Sequence, residues 1–133
     1  IDNKLIKVVN DKNDLFYKEC KIFLIPAENK NLLIDKKINL FINMFSFQEM
    51  PLSETHGYID VIKSNSAFLY SLNRERKKML DGDIINYSDY GIKEKAKIIF
   101  EKEEKFLEKY YNLKFPFIHK KKNKVIGSLS SFA

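Results

Sequence analysis

The sequence predicts an α/β fold, because apolar runs of strand length alternate with segments of helical periodicity. The continuous apolar run 22–25 and the largely apolar run 38–44, in which Asn39 and Asn43 are the only strongly polar residues, are typical of buried strands. A helix is expected over residues 53–63, where apolar side chains recur at helical spacing, and a third strand over residues 67–72. The alternation places these strands in one α/β sheet.

The C-terminal part of the sequence predicts a long helix and then an antiparallel hairpin. Residues 93–111 carry apolar side chains along one side and alternating Lys and Glu along the other. Residues 115–118 and 125–129 are expected to close the sheet as an antiparallel pair. Two shorter strands, over residues 78–80 and 84–87, are expected to form a hairpin before the helix.

Size and composition indicate one folded domain without a membrane span. The chain has 133 residues, is 44% hydrophobic and includes 11 Phe and 7 Tyr, which supply a large buried area. Its apolar runs fall short of the roughly 20 residues that a transmembrane helix needs. The first residues lack the pattern of a signal peptide, and the lone Cys20 cannot form an internal disulfide. We therefore expect a cytoplasmic protein and, because no Met begins the sequence, an interior piece of a longer chain.

The net charge of +6 does not by itself predict nucleic-acid binding. Of the 24 basic residues only Arg74 and Arg76 are Arg, the side chain best suited to bidentate phosphate contacts. Most of the Lys residues are interspersed with Glu along the chain. A compositional preference for Lys explains this charge, and no nucleic-acid partner is expected.

The candidate site lies where the second apolar run ends. Residues 40–51 pass from an apolar strand into a cluster that contains Ser46, Gln48 and Glu49, followed by a Pro. In open α/β sheets, ligands bind at the carboxyl ends of the strands. Because packing gives a buried strand no reason to end in such a polar cluster, we expect chemistry at this position.

Two segments around this site resemble a known family. Residues 43–50 (Asn-Met-Phe-Ser-Phe-Gln-Glu-Met) and 70–75 (Tyr-Ser-Leu-Asn-Arg-Glu) resemble the sugar O-methyltransferases of bacterial polysaccharide gene clusters, which are class I S-adenosylmethionine-dependent enzymes. The resemblance covers about residues 20–133. It implies the C-terminal part of a Rossmann-like class I methyltransferase sheet, mostly parallel with a closing antiparallel hairpin. The third to seventh strands of the family would correspond to residues 22–25, 39–44, 67–72, 115–118 and 124–130, and the last would run antiparallel to its neighbours.

The resemblance implies S-adenosylmethionine as the cofactor. The family's loop after the third strand usually faces the adenine, which points to Pro26, Ala27 and Glu28. The turn after the fourth strand usually flanks the methionine part, which points to Phe45 and Ser46.

The glycine-rich turn that follows the first strand of class I methyltransferases is not found in this sequence. Its four glycines are Gly57, Gly82, Gly91 and Gly127, and no two of them are close together. The resemblance therefore implies a single partial domain, residues 1–133, whose partner is the missing N-terminal half of the same enzyme. Alone, the chain should not bind S-adenosylmethionine with useful affinity. Without the first strands of the family, strand 22–25 should lack a partner, and both it and strand 39–44 should expose open edges. Three alternatives stay open: the two strands pair directly, segment 22–25 is loosely held, or a missing segment supplies the contacts.

Methyl transfer to a sugar hydroxyl is assisted by a general base, and Glu49 is the first candidate. Its neighbours Phe47 and Met50 are expected to raise its pKa by desolvation. His56, on the first turn of the following helix, is the second candidate base. Alternatively, Glu49 only interacts with the dipole of that helix. A metal site is not expected, because the sequence offers no third ligand beside Glu49 and His56.

Three residues are candidates to contact a sugar or glycan acceptor. Gln48 and Asn73 have amide groups that could bind hydroxyls, and Tyr70 could stack on an apolar sugar face. Each has a structural alternative, because Gln48 could satisfy loop backbone, Asn73 could cap a turn and Tyr70 could lie in the core.

Arg74 and Arg76 are the candidates to hold an anionic acceptor such as a nucleotide sugar, because a guanidinium fork matches a phosphate. An ion pair with Glu75 or Asp81 is the alternative.

Two functions therefore remain open from the sequence. The first is the C-terminal part of an S-adenosylmethionine-dependent O-methyltransferase that acts on a sugar hydroxyl in bacterial polysaccharide biosynthesis. The second is a non-catalytic α/β module for binding or assembly.

Overall fold

The computed structural model describes residues 5–16, 21–107, 109 and 124–133. The strands in chain order are β1 (Ile6–Val8), β2 (Ile22–Leu24), β3 (Leu40–Met44), β4 (Phe68–Arg74), β5 (Arg76–Lys78), β6 (Ile84–Asn86), β7 (Lys97–Glu103) and β8 (Val125–Ser131). α-Helices are formed by α1 (Leu52–Ser64) and α2 (Ile92–Lys95), and residues 105–107 and 109 are also α-helical. 3₁₀ turns cover Lys12–Phe16, Ala27–Leu33, Phe47–Glu49 and Tyr87–Tyr90. The predicted α/β class is confirmed.

The main sheet is mixed and has the strand order β3-β4-β8-β7. β3 and β4 are parallel, whereas β8 runs antiparallel to both of its neighbours, β4 and β7. The sequence analysis expected a mostly parallel sheet, and this expectation is wrong, because two of the three strand pairs are antiparallel. The parallel pair is joined by α1, which gives the crossover that parallel strands require.

The prediction of one continuous helix over residues 93–111 is wrong for residues 97–103, which form a strand, although residues 105–107 and 109 are helical. Within this range, α2 ends at Lys95 and β7 begins at Lys97, after Ala96 has taken an extended backbone with φ −142° and ψ 152°. The apolar run Ile98-Ile99-Phe100 favours a strand, and the hydrogen bonds of the ladder with β8 outweigh the helical periodicity of the charges around it. The predicted strand 115–118 lies outside the described residues. In the described structure β8 lies between β4 and β7, and both pairs are antiparallel.

The N-terminal strands form a separate sheet. β2 pairs with β1 in parallel, from Ile6 opposite Ile22 to Val8 opposite Leu24. The expectation that strand 22–25 lacks a partner is therefore wrong. In contrast, β3 pairs only with β4 among the described strands, so its other side is an edge of the main sheet, as expected. The predicted short hairpin is also confirmed. β5 lies two residues before the expected strand 78–80, and β6 ends one residue before the end of the expected strand 84–87.

The core lies on one face of the main sheet, under α1. Ile59 and Ile62 of α1 are buried there with Leu69 of β4 and with Tyr90. Each such side chain stabilises the fold by about 1.5–3 kcal/mol through burial. Asn65 caps the C-terminus of α1, and its Nδ2 donates to the carbonyl oxygens of Val61 and Leu33, both at 2.8 Å. The opposite face of the sheet is more exposed, since Ile42 keeps 64% of its accessible surface.

No helix in the described part of the chain is long and apolar enough to cross a membrane.

Candidate functional site

A buried polar cluster lies at the carboxyl ends of the parallel strands β3 and β4. Asn73 Nδ2 donates to Asn43 Oδ1 at 2.8 Å and to Ser71 Oγ at 2.9 Å, and Asn43 Nδ2 donates to Ser46 Oγ. Asn73 is fully buried, yet its Oδ1 has no hydrogen-bond partner within the described structure. A buried acceptor without a partner is costly and needs an explanation, such as a bound water or ligand.

The chain makes a strained turn as it leaves β3. Phe45 has a φ of 62°, in the left-handed region that side chains other than Gly rarely adopt. Its backbone N–H still donates to the carbonyl of Leu72 at 2.7 Å, so the turn is fixed against β4. The predicted cofactor residue Ser46 follows, exposed at the rim of the polar cluster. Strained backbone of this kind is enriched at functional sites.

Gln48 connects the 3₁₀ turn after β3 to the end of β4. It is 2% exposed, its Oε1 accepts the backbone N–H of Arg74 at 2.8 Å, and its Nε2 donates to Glu49 Oε1 at 3.0 Å. Both ends of the amide are therefore occupied by the protein. The structural alternative for Gln48, that it satisfies loop backbone, fits this geometry.

Glu49 is held between two cations. Arg74 Nη2 donates to its Oε1 at 3.0 Å, and Lys77 Nζ donates to its Oε2. Burial raises the pKa of Glu49, but the hydrogen bonds from Lys77 and Gln48 and the charges of Lys77 and Arg74 together lower it below the ordinary value. The expected rise in the pKa of Glu49 is therefore wrong, because the sequence did not show the two cations.

Arg74 forms its ion pair with Glu49 rather than with Glu75 or Asp81. The Arg74 side chain is 16% exposed, and its Nε is buried without a partner in the described structure. With Lys77, the cluster carries two positive charges and one negative charge. The three side chains Glu49, Arg74 and Lys77 therefore have a net charge of +1, and Glu49, 54% exposed, is the most exposed of the three.

His56 is not brought to Glu49 by any hydrogen bond or ion pair of the described residues. It lies on α1, and its Nε2 is 3.0 Å from the carbonyl oxygen of Asp89. Because a carbonyl only accepts, Nε2 carries the proton in this contact. His56 thus ties α1 to the Tyr87–Tyr90 turn.

Tyr70 and Asn73 lie on opposite faces of β4, because side chains alternate along a strand. Asn73 is buried on the α1 side, whereas Tyr70 is half-buried on the open face, opposite Ile42 of β3. A single ligand could reach both only around the end of the strand. The predicted substrate residues are thus divided between two surfaces.

Pro26, Ala27 and Glu28 lie at the start of the Ala27–Leu33 turn, after β2. That turn packs against α1, where Lys30 Nζ donates to Glu54 Oε2 at 2.9 Å.

Sequence reasoning missed Asn43 and Ser71, which belong to the buried polar cluster, and Lys77, which forms an ion pair with Glu49. The one available signal was Asn43, a strongly polar residue inside an apolar strand. Within the described residues, His, Cys, Asp and Glu form no group of three that could hold a metal ion. A surface cleft of about 360 Å³ between β5, the Tyr87–Tyr90 turn and β7 is lined by Arg76 but by no other predicted site residue.

The chain was compared with protein-family models, with curated proteins and with solved structures, and none of the three comparisons gives a match.

Proposed function

We propose that this chain is the C-terminal part of an S-adenosylmethionine-dependent O-methyltransferase, and that it supplies the acceptor side of the active site for a sugar hydroxyl. The observation that carries the proposal is the polar cluster at the carboxyl ends of β3 and β4. This is the position at which ligands bind in open α/β sheets. The main sheet gives further support, because β8 runs antiparallel to both neighbours, as the resemblance implies for the last strand of the family.

In this proposal the acceptor is a sugar that carries an anionic group, such as a nucleotide sugar. Arg74 and Lys77 attract the anion, and Glu49 prevents the two cations from repelling each other. The matching of charge fixes the position of the sugar, and positioning supplies a large part of the rate gain in a displacement reaction.

Glu49 orients the reacting hydroxyl by accepting its hydrogen bond. Because its pKa is lowered, Glu49 is ionised at neutral pH, but it is a weaker proton acceptor than the sequence predicted. S-Adenosylmethionine would supply the methyl group, and the carboxyl-end turn at Phe45 and Ser46 is the part of this chain proposed to contact it. The chain alone is still expected not to bind the cofactor at micromolar concentration.

Two-dimensional NMR of the ¹⁵N-labelled chain, titrated with UDP-glucose, tests the acceptor site. Amide signals of residues 45–49 and 73–77 should shift, whereas those of β1 and β2 should not. Arg74→Met should weaken binding by at least about tenfold, the loss of one charge-assisted contact. The control Lys93→Met removes a cation whose partner is Glu101, outside the cluster. Shifts that map elsewhere, or equal effects of the two variants, would refute the acceptor site.

A second candidate is a non-catalytic α/β module, which one observation favours. Gln48, Glu49 and His56 all have protein partners, so the fold itself uses the residues predicted for chemistry. Methyl transfer distinguishes the two functions. It can be measured with a polypeptide that joins this chain to a cofactor-binding half. Glu49→Gln should lower its kcat by about a hundredfold if Glu49 takes part in proton transfer. Sugar binding without any methyl transfer would favour the binding module.

A further inference from the structure

The strand β5 contributes to the candidate site and also to a separate surface cleft. Side chains alternate along a strand, so Lys77 reaches Glu49 on one face of β5, whereas Arg76 lines the cleft on the other. The cleft has a volume of about 360 Å³ and is bounded by β5, the Tyr87–Tyr90 turn and β7. Sites for small ligands have volumes of about 300–1,000 Å³. The cleft is therefore large enough to hold a small ligand.

Hydrogen bonds fix the walls of this cleft. The N–H of Tyr87 donates to the carbonyl of Glu75 at 2.8 Å, and the N–H of Glu75 donates to the carbonyl of Lys124 at 2.7 Å. A second wall is held by Lys93, whose Nζ donates to Glu101 Oε1 of β7 at 2.9 Å. Because these bonds join four segments of the chain, the shape of the cleft does not depend on a bound ligand, as is usual for small-ligand sites.

The charges of the side chains that line the cleft cancel. Arg76 and Lys93 are cations, and Glu75 and Glu101 are anions. Glu101 is paired with Lys93, whereas the carboxylate of Glu75 has no hydrogen bond or ion pair in the described structure. A cleft whose charges cancel does not concentrate ions of either sign. The lining therefore favours an uncharged ligand over an anion or a cation.

The hydrogen-bonding groups of the cleft suit hydroxyls. The carboxylates of Glu75 and Glu101 only accept hydrogen bonds, whereas the side chains of Arg76 and Lys93 only donate them. A hydroxyl group donates one hydrogen bond and can accept two, so it can bind to groups of both kinds. A ligand with several adjacent hydroxyls therefore matches the walls of the cleft without carrying a charge.

The base of the cleft is apolar. Tyr87 and Ile126 are the least exposed of its lining residues, since Tyr87 keeps 7% of its accessible surface and Ile126 is half-buried. The phenol oxygen of Tyr87 contacts Ser128 Oγ inside the fold, so the ring rather than the hydroxyl is available to a ligand. Small-ligand sites combine an apolar, partly aromatic lining with a few polar groups. One face of a sugar ring, which consists of C–H groups, fits such a base.

We propose that this cleft binds one unit of a neutral sugar. The hydroxyls of the sugar donate to the carboxylates of Glu75 and Glu101 and accept from Arg76, and one face of its ring packs on Tyr87. The inference goes beyond the proposed function and does not rest on it, because none of the residues that line the cleft belongs to the cluster of Glu49 and its two cations.

Two-dimensional NMR of the ¹⁵N-labelled 133-residue chain, titrated in turn with glucose, galactose, mannose and N-acetylglucosamine, tests the cleft. At least one of these sugars should shift the amide signals of residues 86–88 and of Glu101, with a dissociation constant of about 1–10 mM, as ligand efficiency allows for so small a ligand. Signals of residues 45–49 should not shift, because UDP-glucose is held there by its diphosphate and at concentrations that leave the cleft nearly unoccupied. Sodium phosphate should leave the signals of the cleft unchanged. No shift at the cleft with any of the sugars, or shifts with phosphate alone, would overturn the proposal.

Two variants and a matched control assign the binding to the carboxylates. Glu101→Gln should raise the dissociation constant of the bound sugar at least about fivefold, because an ionised acceptor is lost. Glu103→Gln is the control, since Glu103 lies two residues further on the same face of β7 and also pairs with a lysine, Lys124, but does not line the cleft. Glu75→Gln should weaken binding as Glu101→Gln does, and it leaves the ion pair of Lys93 intact. Equal effects of Glu101→Gln and Glu103→Gln, or unchanged binding by Glu75→Gln, would contradict the site.

Discussion

Asn73 and Asn43 join the carboxyl ends of β4 and β3 through one buried hydrogen bond, with Asn73 Nδ2 donating to Asn43 Oδ1 at 2.8 Å. Both side chains are buried on the sheet face that α1 covers. Asn43 extends the hydrogen-bond network, because its Nδ2 donates to Ser46 Oγ. A polar link between two buried strands positions the turn after β3, on which Gln48 and Glu49 lie. The candidate site therefore depends on a contact between residues that are 30 positions apart in the sequence.

Asn43→Leu keeps the shape of the side chain and removes this acceptor. We expect a loss of about 1–3 kcal/mol in the free energy of unfolding, because the amide of Asn73 loses a partner in a buried position. Urea denaturation measures it. The control Asn39→Leu changes an exposed residue just before the same strand and should cost less than about 0.5 kcal/mol. Equal stability of the two variants would show that the network is not a stabilising element.

Glu49→Gln should flatten the pH dependence of stability in acid. The pKa of Glu49 is lower in the folded protein than its ordinary value of 4.5, so the ionised form stabilises the fold above that pH. This stabilisation is lost as the pH falls from 4.5 through the folded pKa. The difference at neutral pH should stay below about 1 kcal/mol, because the carboxylate is 54% exposed and screened by solvent.

Urea denaturation of the wild type and Glu49→Gln from about pH 6 to about pH 3 follows this effect. Lys77→Met removes a cation that lowers the pKa of Glu49, and it should reduce the pH-dependent difference. Identical pH profiles of the wild type and Glu49→Gln would contradict the ion-pair geometry.

Tyr87→Phe should break a second buried polar contact, on the same face of the sheet. The phenol oxygen of Tyr87 lies 2.5 Å from Ser128 Oγ on β8, and burial raises the pKa of the phenol, which therefore stays protonated. Its removal should cost about 1–3 kcal/mol in the free energy of unfolding. A double-mutant cycle with Ser128→Ala should give a coupling of at least about 0.5 kcal/mol. Tyr58→Phe, on the half-buried ring of α1, is the control, and additive losses in the cycle would rule out a direct contact.

Strands β2, β3, β4 and β8 and helix α1 could be predicted from the sequence, because each is encoded in a continuous segment. An apolar run of four to seven residues, or an apolar face at helical spacing, decides the local structure before any partner is chosen. The strand β7 could not be predicted in this way. Its alternating Lys and Glu residues have the periodicity of a helix, and only the ladder with β8 makes the extended form more stable.

The sequence by itself determined the place of the candidate site, at the polar cluster that ends β3. The tertiary structure alone decided what these residues do. Gln48 is buried because β4 offers it a backbone N–H, and Glu49 has a lowered pKa because Arg74 and Lys77 reach it from 25 and 28 residues away. Side-chain roles depend on such long-range neighbours, and a pattern in one segment carries no information about them.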